Sequence, residues 1–498
     1  MIQEQRVPTE AVRFFKPTHA WLRQVRLAYV PGPTSSLLED FAARLLDCFR
    51  RYGHTVYETP QNPLDVLLTT ATFGEPIGWR KAVLAHARRR WKLDHTPTVF
   101  TLLHATPQQF HSYLQHFEAA LAKDPPDPAD YAFPGLQPRA YITLAEQGQR
   151  GGAILALERL VQSQAMCIRN VLVIGDEHPL EAYTFDLVGA HPRSDASDPE
   201  AFYQDLMLRI LTAVSTKEIT QHQVLGEPVP QEVWRSLKTP AQMREGGRQL
   251  GLRSFFTEMV SIANLVDIPY IPETVASQYS EGCFATWEPQ LNALVATVTG
   301  SARPVNKYNL SDDDLALIVG VRPDGLGAQV RHVRGLRNDP PSSEAVELMQ
   351  MDASLPRLRL GAEFGYEKTI EVPVARSKLH GHRGVRAYNP RTVEHVHLDE
   401  PYYHYPVSCA TQAQALSTQA AFSRSQALQN PDDPRQLVFT ILPGHGVMIV
   451  EKWVAGKAPF QLMWEAMDNG DLQIESRVPQ GLVVYDPDSD GMMRLQEP

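Results

Sequence analysis

Apolar residues in the first 120 positions alternate between a short strand-like run and helical spacing. VRLAYV (25–30) is a compact apolar run, and residues 36–53 carry apolar positions at helical spacing that end on Gly53. Further strands are predicted at 54–58, 65–71 and 98–105, and further helices at 77–90 and 107–122. Strands that alternate with helices predict βαβ units around a parallel sheet, and therefore a Rossmann-like α/β unit.

The pattern changes at a proline-rich, aperiodic stretch and then resumes. We predict a linker at 123–140 and a second α/β unit at 141–240, with a helix at 151–165, strands at 170–176 and 182–190, and a helix at 201–214. With the first unit at 1–122, the remaining 241–498 form a C-terminal domain. The fold class expected for the whole chain is multidomain α/β.

Composition excludes several classes of protein. Of 498 residues, 43% are apolar and 21% charged, which is ordinary globular usage and not that of a disordered, collagen-like or coiled-coil chain. The 47 basic and 57 acidic residues leave a net charge of −10, so we expect neither nucleic acid nor an anionic membrane as a partner. No apolar run reaches about 18 residues, and the N-terminus lacks the apolar core of a signal peptide, so we expect a cytoplasmic location.

The N-terminal half contains two loops that could bind an anion, but no recognisable nucleotide-binding motif. The loops at 32–36 and 148–152 precede predicted helices, but neither matches a dinucleotide or P-loop motif, so turns and helix caps are the favoured interpretation. The basic stretch 79–92 is interpreted as a solvated helix face. The four cysteines show no C-x-x-C spacing and are expected to be buried thiols.

Histidines concentrate in the C-terminal half. Five of the 17 lie between 380 and 404, and they include two H-x-H pairs, His380/His382 and His395/His397. In a strand, residues i and i+2 face the same side, so either pair can present two imidazoles to one cation. A catalytic zinc needs a third protein ligand. His445, between two glycines and directly before an apolar strand, is the candidate.

Four patches, in this order, resemble the class II aldolase/adducin family. They resemble its phosphate loop with the strand that follows, its P-S-S-E helix start, its H-x-H strand and its N-H-G turn. The patches are LVATVTGSARPVNKYNLSDDDLALIVGVRPDG (294–325), RNDPPSSEAVELMQMDASLPRL (337–358), PRTVEHVHLDEPYYHYPVSCATQAQALS (390–417) and FTILPGHGVMIVEKW (439–453). The resemblance covers about residues 250–465 and implies an α/β sandwich domain, while the N-terminal 240 residues have no counterpart in it.

The resemblance implies a role for each matched residue. His395, His397 and His445 would bind a divalent metal, Zn²⁺ as in the family's zinc-dependent members, and Glu344 would be the acid/base. The phosphate of a substrate would be bound by Thr299, Gly300, Ser301, Ser342 and Ser343. Family members are typically oligomers, so a homo-oligomer is expected.

Two departures from the family pattern bear on these assignments. The family's G-N-x-S segment is not present at 277–289, and Glu344 and His395 are 51 positions apart, farther than in the family. The surplus, residues 360–389, is interpreted as an inserted hairpin or lid. It contains the competing pair His380 and His382, and we favour His395 and His397 because 389–397 resembles the strand that leads to the family's pair.

The leading functional prediction is a metal-dependent lyase performing aldol cleavage, or an epimerase, acting on a sugar phosphate or related polyhydroxy carbonyl compound. One alternative is a metal-dependent sugar isomerase that uses carboxylates among Glu281, Glu288, Glu344 and Asp352. Another is a non-catalytic, adducin-like binding or scaffold protein. Under the plainest interpretation, Glu344 caps a helix, His395 and His397 lie on a surface strand, and residues 299–301 form a turn.

Overall fold

The computed structural model divides the chain into two compact units, residues 1–216 with 259–277 and residues 217–258 with 278–498. Both units combine helices with sheets, so the predicted α/β class is confirmed. No helix among the described residues has the length and apolar character needed to cross a membrane. The structure describes residues 24–32, 34–72, 89–94, 97–112, 168–185, 190–194, 198–213, 219–253, 255–256, 258–259, 279–280, 282–299, 307–399, 410–443, 445–475, 479 and 482–496.

The first unit is built on a seven-stranded sheet in the order β2-β1-β3-β4-β5-β6-β7. Strands β1 to β5 pair in parallel, and β6 and β7 are added antiparallel at one edge. The strands are β1 (Arg26–Val30), β2 (Thr55–Tyr57), β3 (Val66–Thr72), β4 (Thr98–Ala105), β5 (Ile168–Ile174), β6 (Glu181–Phe185) and β7 (Ala190–Ser194).

Helix α1 (Ser36–Arg51) confirms the helical spacing seen in the sequence. Ser35 caps it by accepting a hydrogen bond from the amide of Leu38, which satisfies one of the helix's initial N–H groups. Its apolar stripe is buried and packs on α2 (Pro199–Ala213), where the Phe41 ring meets the Phe202 ring at a centroid distance of 6.0 Å.

The prediction of two separate N-terminal units is corrected by the pairing of β4 with β5. These strands are in parallel register along their length, from Val99 opposite Ile168 to Ala105 opposite Ile174. The strands predicted before and after the linker therefore belong to one sheet. The linker 123–140 and the helix at 151–165 lie outside the described residues. Of the helices predicted at 77–90 and 107–122, residues 89–90 and 107–112 are described and helical.

The second unit is built on a nine-stranded sheet in the order β19-β20-β21-β17-β11-β12-β13-β14-β8. Its strands are β8 (Gln223–Val224), β11 (Cys283–Glu288), β12 (Ala293–Thr297), β13 (Leu315–Val321), β14 (Ala328–Arg331), β17 (Ala375–Gly381), β19 (Val393–His395), β20 (Leu437–Leu442) and β21 (Gly446–Lys452). The smaller pairings use β9 (Glu258–Met259), β10 (Tyr279–Ser280), β15 (Arg357–Leu360), β16 (Ile370–Pro373), β18 (Gly384–Tyr388), β22 (Leu472–Glu475), β23 (Val484–Pro487) and β24 (Met493–Gln496). The helices are α3 (Gln231–Ser236), α4 (Thr239–Leu252), α5 (Ala345–Gln350), α6 (Gln412–Ser423), α7 (Gln426–Gln429) and α8 (Gln461–Asn469).

Helices cover both faces of this sheet. On the front face, defined as the face that carries Lys378 and His380, the Lys378 ammonium reaches the carbonyl oxygen of Leu348 in α5 at 2.6 Å. On the back face, Phe284 packs against Phe460 at the start of α8, with ring centroids 5.1 Å apart. Helices α5, α6 and α7 therefore cover the front face, and α4 and α8 cover the back.

The segment 360–389, interpreted from the sequence as an insertion, contains a central strand of the sheet. β15 and β16 form a separate hairpin and β18 belongs to a small four-stranded sheet, whereas β17 lies between β11 and β21 and is buried along its whole length. An insertion is expected to lie outside the sheet, and ARSKLHG reads as a weak strand because it mixes charged and apolar residues. The structure buries the polar side chains by pairing them with other polar groups.

Candidate metal centre

Three buried histidines converge at one end of the front face. The nearest ring nitrogens of His380, His382 and His445 all lie within 4.8 Å of one another. Their ring centroids are 5.3 Å apart for His380 and His382, 4.7 Å for His380 and His445, and 5.1 Å for His382 and His445. This is the one group of three or more potential metal-ligating side chains among the described residues.

Strand register brings these histidines together. His380 ends β17 opposite Met448, and Gly381 lies opposite Val447, so the end of β17 runs beside the start of β21. His445 lies in the turn that joins β20 to β21, at this same end of the sheet. His382 follows two residues after His380 and therefore points to the same side.

Glycines allow the backbones to approach closely enough for this arrangement. A Cβ atom on Gly446 would lie 2.1 Å from the carbonyl oxygen of Gly381, and Gly282, with φ +83°, would place one 2.5 Å from the carbonyl oxygen of His380. The expected close approach at Gly446 is confirmed, while Gly444 lies outside the described residues. The predicted glycine turn therefore positions His445 beside β17.

The ring nitrogens have the chemical character of metal ligands. His380 Nδ1 lies 3.2 Å from the carbonyl oxygen of Val447, which can only accept, so Nδ1 carries the proton and Nε2 keeps its lone pair. Neither ring nitrogen of the buried His445 has a hydrogen-bond partner among the described residues. Burial, with the nearby His380 and His382, lowers the pKa of His445 well below its ordinary value and keeps the imidazole neutral. Three imidazoles that converge in this way fit a divalent ion such as zinc.

His395 and His397 lie elsewhere. His395 is opposite Phe439 of β20, and the register from Phe439 through Ile449 to Leu379 places it on the back face. There its ring stacks on Phe439 at 4.6 Å, and the His397 ring is its neighbour at 4.3 Å. The preference for this pair as the partners of His445 is therefore corrected, since the structure groups His445 with the competing pair.

Glu344 lies on the same side of the sheet as the three histidines. It is buried at the start of α5 and accepts a hydrogen bond from the Ser342 hydroxyl at 2.8 Å. Cys283, which is opposite His380 in the sheet, has a pKa raised by burial and then by the charge of Glu344. The capping alternative is not observed, because the Glu344 side chain makes no capping hydrogen bond to α5.

The two segments of the predicted phosphate site are adjacent. The Ser342 amide donates to the carbonyl of Thr297 at 3.0 Å, and the Thr299 amide donates to the carbonyl of Pro340 at 2.9 Å. The Thr299 hydroxyl, however, donates to the carbonyl of Pro341, and the Ser342 hydroxyl donates to Glu344. Ser343 is half-buried, and Gly300 and Ser301 lie outside the described residues. Phosphate binding at this place remains a prediction.

The carboxylates of the isomerase alternative are dispersed. Asp352 is paired with the ammonium of Lys378 at 2.5 Å, and Glu288 accepts a hydrogen bond from the amide of Gln290 at 2.8 Å. By the alternation of β11, Glu288 points to the back face, opposite to Cys283. Glu281 lies outside the described residues, so Glu344 is the one of these four whose charge is shown to act on Cys283, opposite His380.

Sequence reasoning missed a second buried carboxyl group in α5. Glu347 follows Glu344 by three positions, which places both on one side of the helix. Its Oε2 accepts a hydrogen bond from Gln414 Nε2 of α6 at 2.7 Å, and burial, followed by the charge of Glu344, raises its pKa well above the ordinary value. The i, i+3 spacing was a signal available in the sequence.

No family model, no curated protein and no solved structure matches this chain. The fold and the site themselves define an α/β protein with a buried three-histidine cluster.

Proposed function

We propose that the second unit is a metal-dependent enzyme, a lyase that performs aldol cleavage or an epimerase, acting on a sugar phosphate or related polyhydroxy carbonyl compound. The observation that carries the proposal is the group His380, His382 and His445, buried on the same side of the sheet as Glu344. A three-histidine set leaves a position open for substrate on a divalent ion.

The resemblance to the class II aldolase/adducin family supports this proposal after one change of ligands. The order of the four patches is unaltered when His380 and His382 replace His395 and His397. We propose a class II aldolase-like sandwich for the second unit, a Rossmann-like fold for the first, and a cytoplasmic homo-oligomer.

Each group has a distinct task in this chemistry. When bound, a divalent ion supplies Lewis acidity toward the carbonyl and hydroxyl oxygens of a ketose. Glu344 accepts the proton that leaves the substrate and returns it to the product, and Ser342 orients the carboxylate through its hydrogen bond. The Val447 carbonyl holds the His380 ring in one orientation.

The test is the metal content of the full chain, purified without a histidine tag. We expect about one zinc per chain, lost in the His380→Ala/His382→Ala variant. The matched control is His395→Ala/His397→Ala, which should keep its metal because that pair lies on the back face. Loss of metal in the control alone would refute the ligand set, and a folded, zinc-supplemented chain without metal would refute the enzyme proposal.

Product analysis separates the remaining functions. Aldol cleavage changes the number of carbon atoms in the product, whereas epimerisation and isomerisation do not. A metal-loaded chain that turns over no sugar or sugar phosphate would favour the adducin-like scaffold function.

A further inference from the structure

The buried polar atoms of the front face that have no hydrogen-bond partner in the described part of the chain include one each from β20, α5 and α6. These three are Thr440 Oγ1, Gln414 Oε1 and Glu347 Oε1, and all three residues are 0% exposed. A buried polar atom without a partner costs free energy, so such atoms are rare in folded proteins unless water or a ligand satisfies them. Their position relative to the three histidines determines what they can bind.

The strand register connects Thr440 to the candidate metal centre. Thr440 is opposite Met448, Met448 is opposite His380, and His380 is opposite Cys283, which makes one row across four strands. Residues directly opposite each other share a face, so Thr440 lies on the front face, two strands from His380.

Gln414 and Glu347 approach this face from the helices that cover it. Gln414 lies in α6, which packs on β20, and Glu347 lies in α5, which packs on β11. The charge of Glu347 also contributes to raising the pKa of Cys283, at the other end of the row from Thr440. The three unpartnered atoms thus belong to the layer between α5, α6 and the strands that carry His380.

The hydrogen-bonding character of these atoms selects a type of ligand. Gln414 Nε2 donates to Glu347, so Gln414 Oε1 is an acceptor that requires a donor. A hydroxyl group donates and accepts, and it satisfies an amide oxygen, a carboxyl oxygen and a threonine hydroxyl alike. A phosphate dianion has no proton to donate to Gln414, and it is opposed by the charge of Glu344, the same charge that helps to raise the pKa of Glu347.

We propose that the front-face site binds a neutral polyhydroxylated compound, with its hydroxyl groups held by Glu347, Gln414 and Thr440. This inference rests on the proposed function and narrows its substrate class to unphosphorylated ketoses and polyols. The groups that bind the hydroxyls are distinct from the metal ligands and from Glu344, so they determine specificity and not the chemical step.

The experiment titrates the zinc-loaded full chain with fructose and dihydroxyacetone, and with the phosphate ester of each, by calorimetry. We expect a neutral ketose to bind more tightly than its phosphate ester. Thr440→Val and Gln414→Leu should each weaken that binding by about three- to tenfold, the effect of one hydrogen bond. Two variants are used so that a folding defect in one leaves the test intact.

Thr418→Val is the matched control. Thr418 is also buried, in α6, but its hydroxyl donates to the carbonyls of Gln414 and Ala415, so this variant should leave ketose binding unchanged. Thr440→Val should also raise the Tm of the ligand-free protein by about 2–4 °C, because the unpartnered hydroxyl is removed, while Thr418→Val should not.

Each opposing result has a defined meaning. Tighter binding of the phosphate esters, or binding that is equal in wild type, Thr440→Val and Gln414→Leu, would overturn the inference. Absence of ketose binding by the zinc-loaded protein would do the same and would assign the three atoms to bound water. If the ketose-binding test fails in a protein that still binds zinc, the proposed function is unaffected. If His380, His382 and His445 do not bind zinc, the proposed function itself is refuted.

Discussion

Among the described glycines next to the three histidines, Gly446 has the least room for a side chain. Its Cβ position would lie 2.1 Å from the carbonyl oxygen of Gly381. We expect Gly446→Ala to lower the free energy of unfolding by about 1–3 kcal/mol, as overpacking does, and to weaken metal binding because β17 and His445 move apart. Urea unfolding and zinc titration measure the two effects.

Gly456→Ala is the control for this substitution. Gly456 has a positive φ, +78°, and nothing lies within 4 Å of its Cβ position. It should therefore show only the conformational cost of about 1 kcal/mol, with zinc affinity unchanged. Equal zinc affinity in Gly446→Ala and wild type would show that the close approach does not position His445.

At the scale of single residues, the sequence indicated that histidines would form the candidate site, but not which histidines would lie together. His380/His382 and His395/His397 have the same spacing, and no local feature shows which pair faces His445. The choice depends on the pairing of β17 with β21 and of β19 with β20, which are contacts between distant parts of the chain. Glu344 and His445 were each predicted from a local motif, and the structure buries both on the front face.

At the scale of elements, a buried ion pair joins β17 to the turn after α5. Lys378 and Asp352 are both nearly inaccessible to solvent, and Lys378 is two residues before His380. Lys378→Met should lower the free energy of unfolding by about 3–5 kcal/mol, because it leaves a buried carboxylate without its cation.

The double variant Lys378→Met/Asp352→Leu separates this cause from simple loss of packing. It should recover most of the lost stability in urea unfolding, since neither charge is then left unpaired. If the double variant is as unstable as the single one, the pair contributes through its shape and not through its charges.

Glu451 connects β21 to the start of α8 and makes stability depend on pH. Its carboxyl group accepts hydrogen bonds from the amides of Phe460 and Leu462, and burial raises its pKa to about 7. Because the unfolded chain releases this proton near its ordinary pKa, the folded protein binds the proton more tightly, and its contribution is present at low pH and lost as pH rises toward 7.

We therefore compare wild type with Glu451→Gln. The stability of wild type relative to the variant should fall by about 3 kcal/mol between pH 4.5 and 7, as measured by urea unfolding across that range. Glu371→Gln, at an exposed position, should show no such relative change. A constant difference between wild type and Glu451→Gln across this range would contradict the assignment.

The elements that the sequence predicted well are those with a strong local period. Helix α1 and strands β1, β3 and β4 follow their apolar patterns closely. Strand β17 was missed because its Lys378, His380 and Arg376 interrupt the apolar pattern that marks a central strand, and their burial is made possible by partners far away in the sequence.

At the scale of the whole molecule, the two compact units should respond differently to metal. The three histidines belong to the second unit. Zinc at 100 times its dissociation constant should stabilise a protein that binds it only when folded by about 2.7 kcal/mol. In hydrogen exchange, we expect zinc to slow exchange in β17, β20 and β21 and to leave β3, β4 and β5 unchanged. Equal slowing in both sheets would contradict this expectation.

The division into units was predicted only in part. The proline-rich stretch lies outside the described residues and within the first compact unit, and strands on both sides of it join one sheet through β4 and β5. Strand pairing across a long connection leaves no periodic signal in the sequence. The sequence therefore predicted two α/β units where the structure has one seven-stranded sheet.

The turn at His445 and the end of β17 meet only in one alignment of the strands. Because side chains alternate between the faces of a sheet, a shift of β17 by a single residue would send His380 and His382 to the back face and leave His445 alone. Retention of a bound ion would therefore report whether β17 has adopted the correct register during folding. Only a correctly paired sheet would retain the ion, and a sheet in which β17 is shifted by one residue would be detected by its loss of metal.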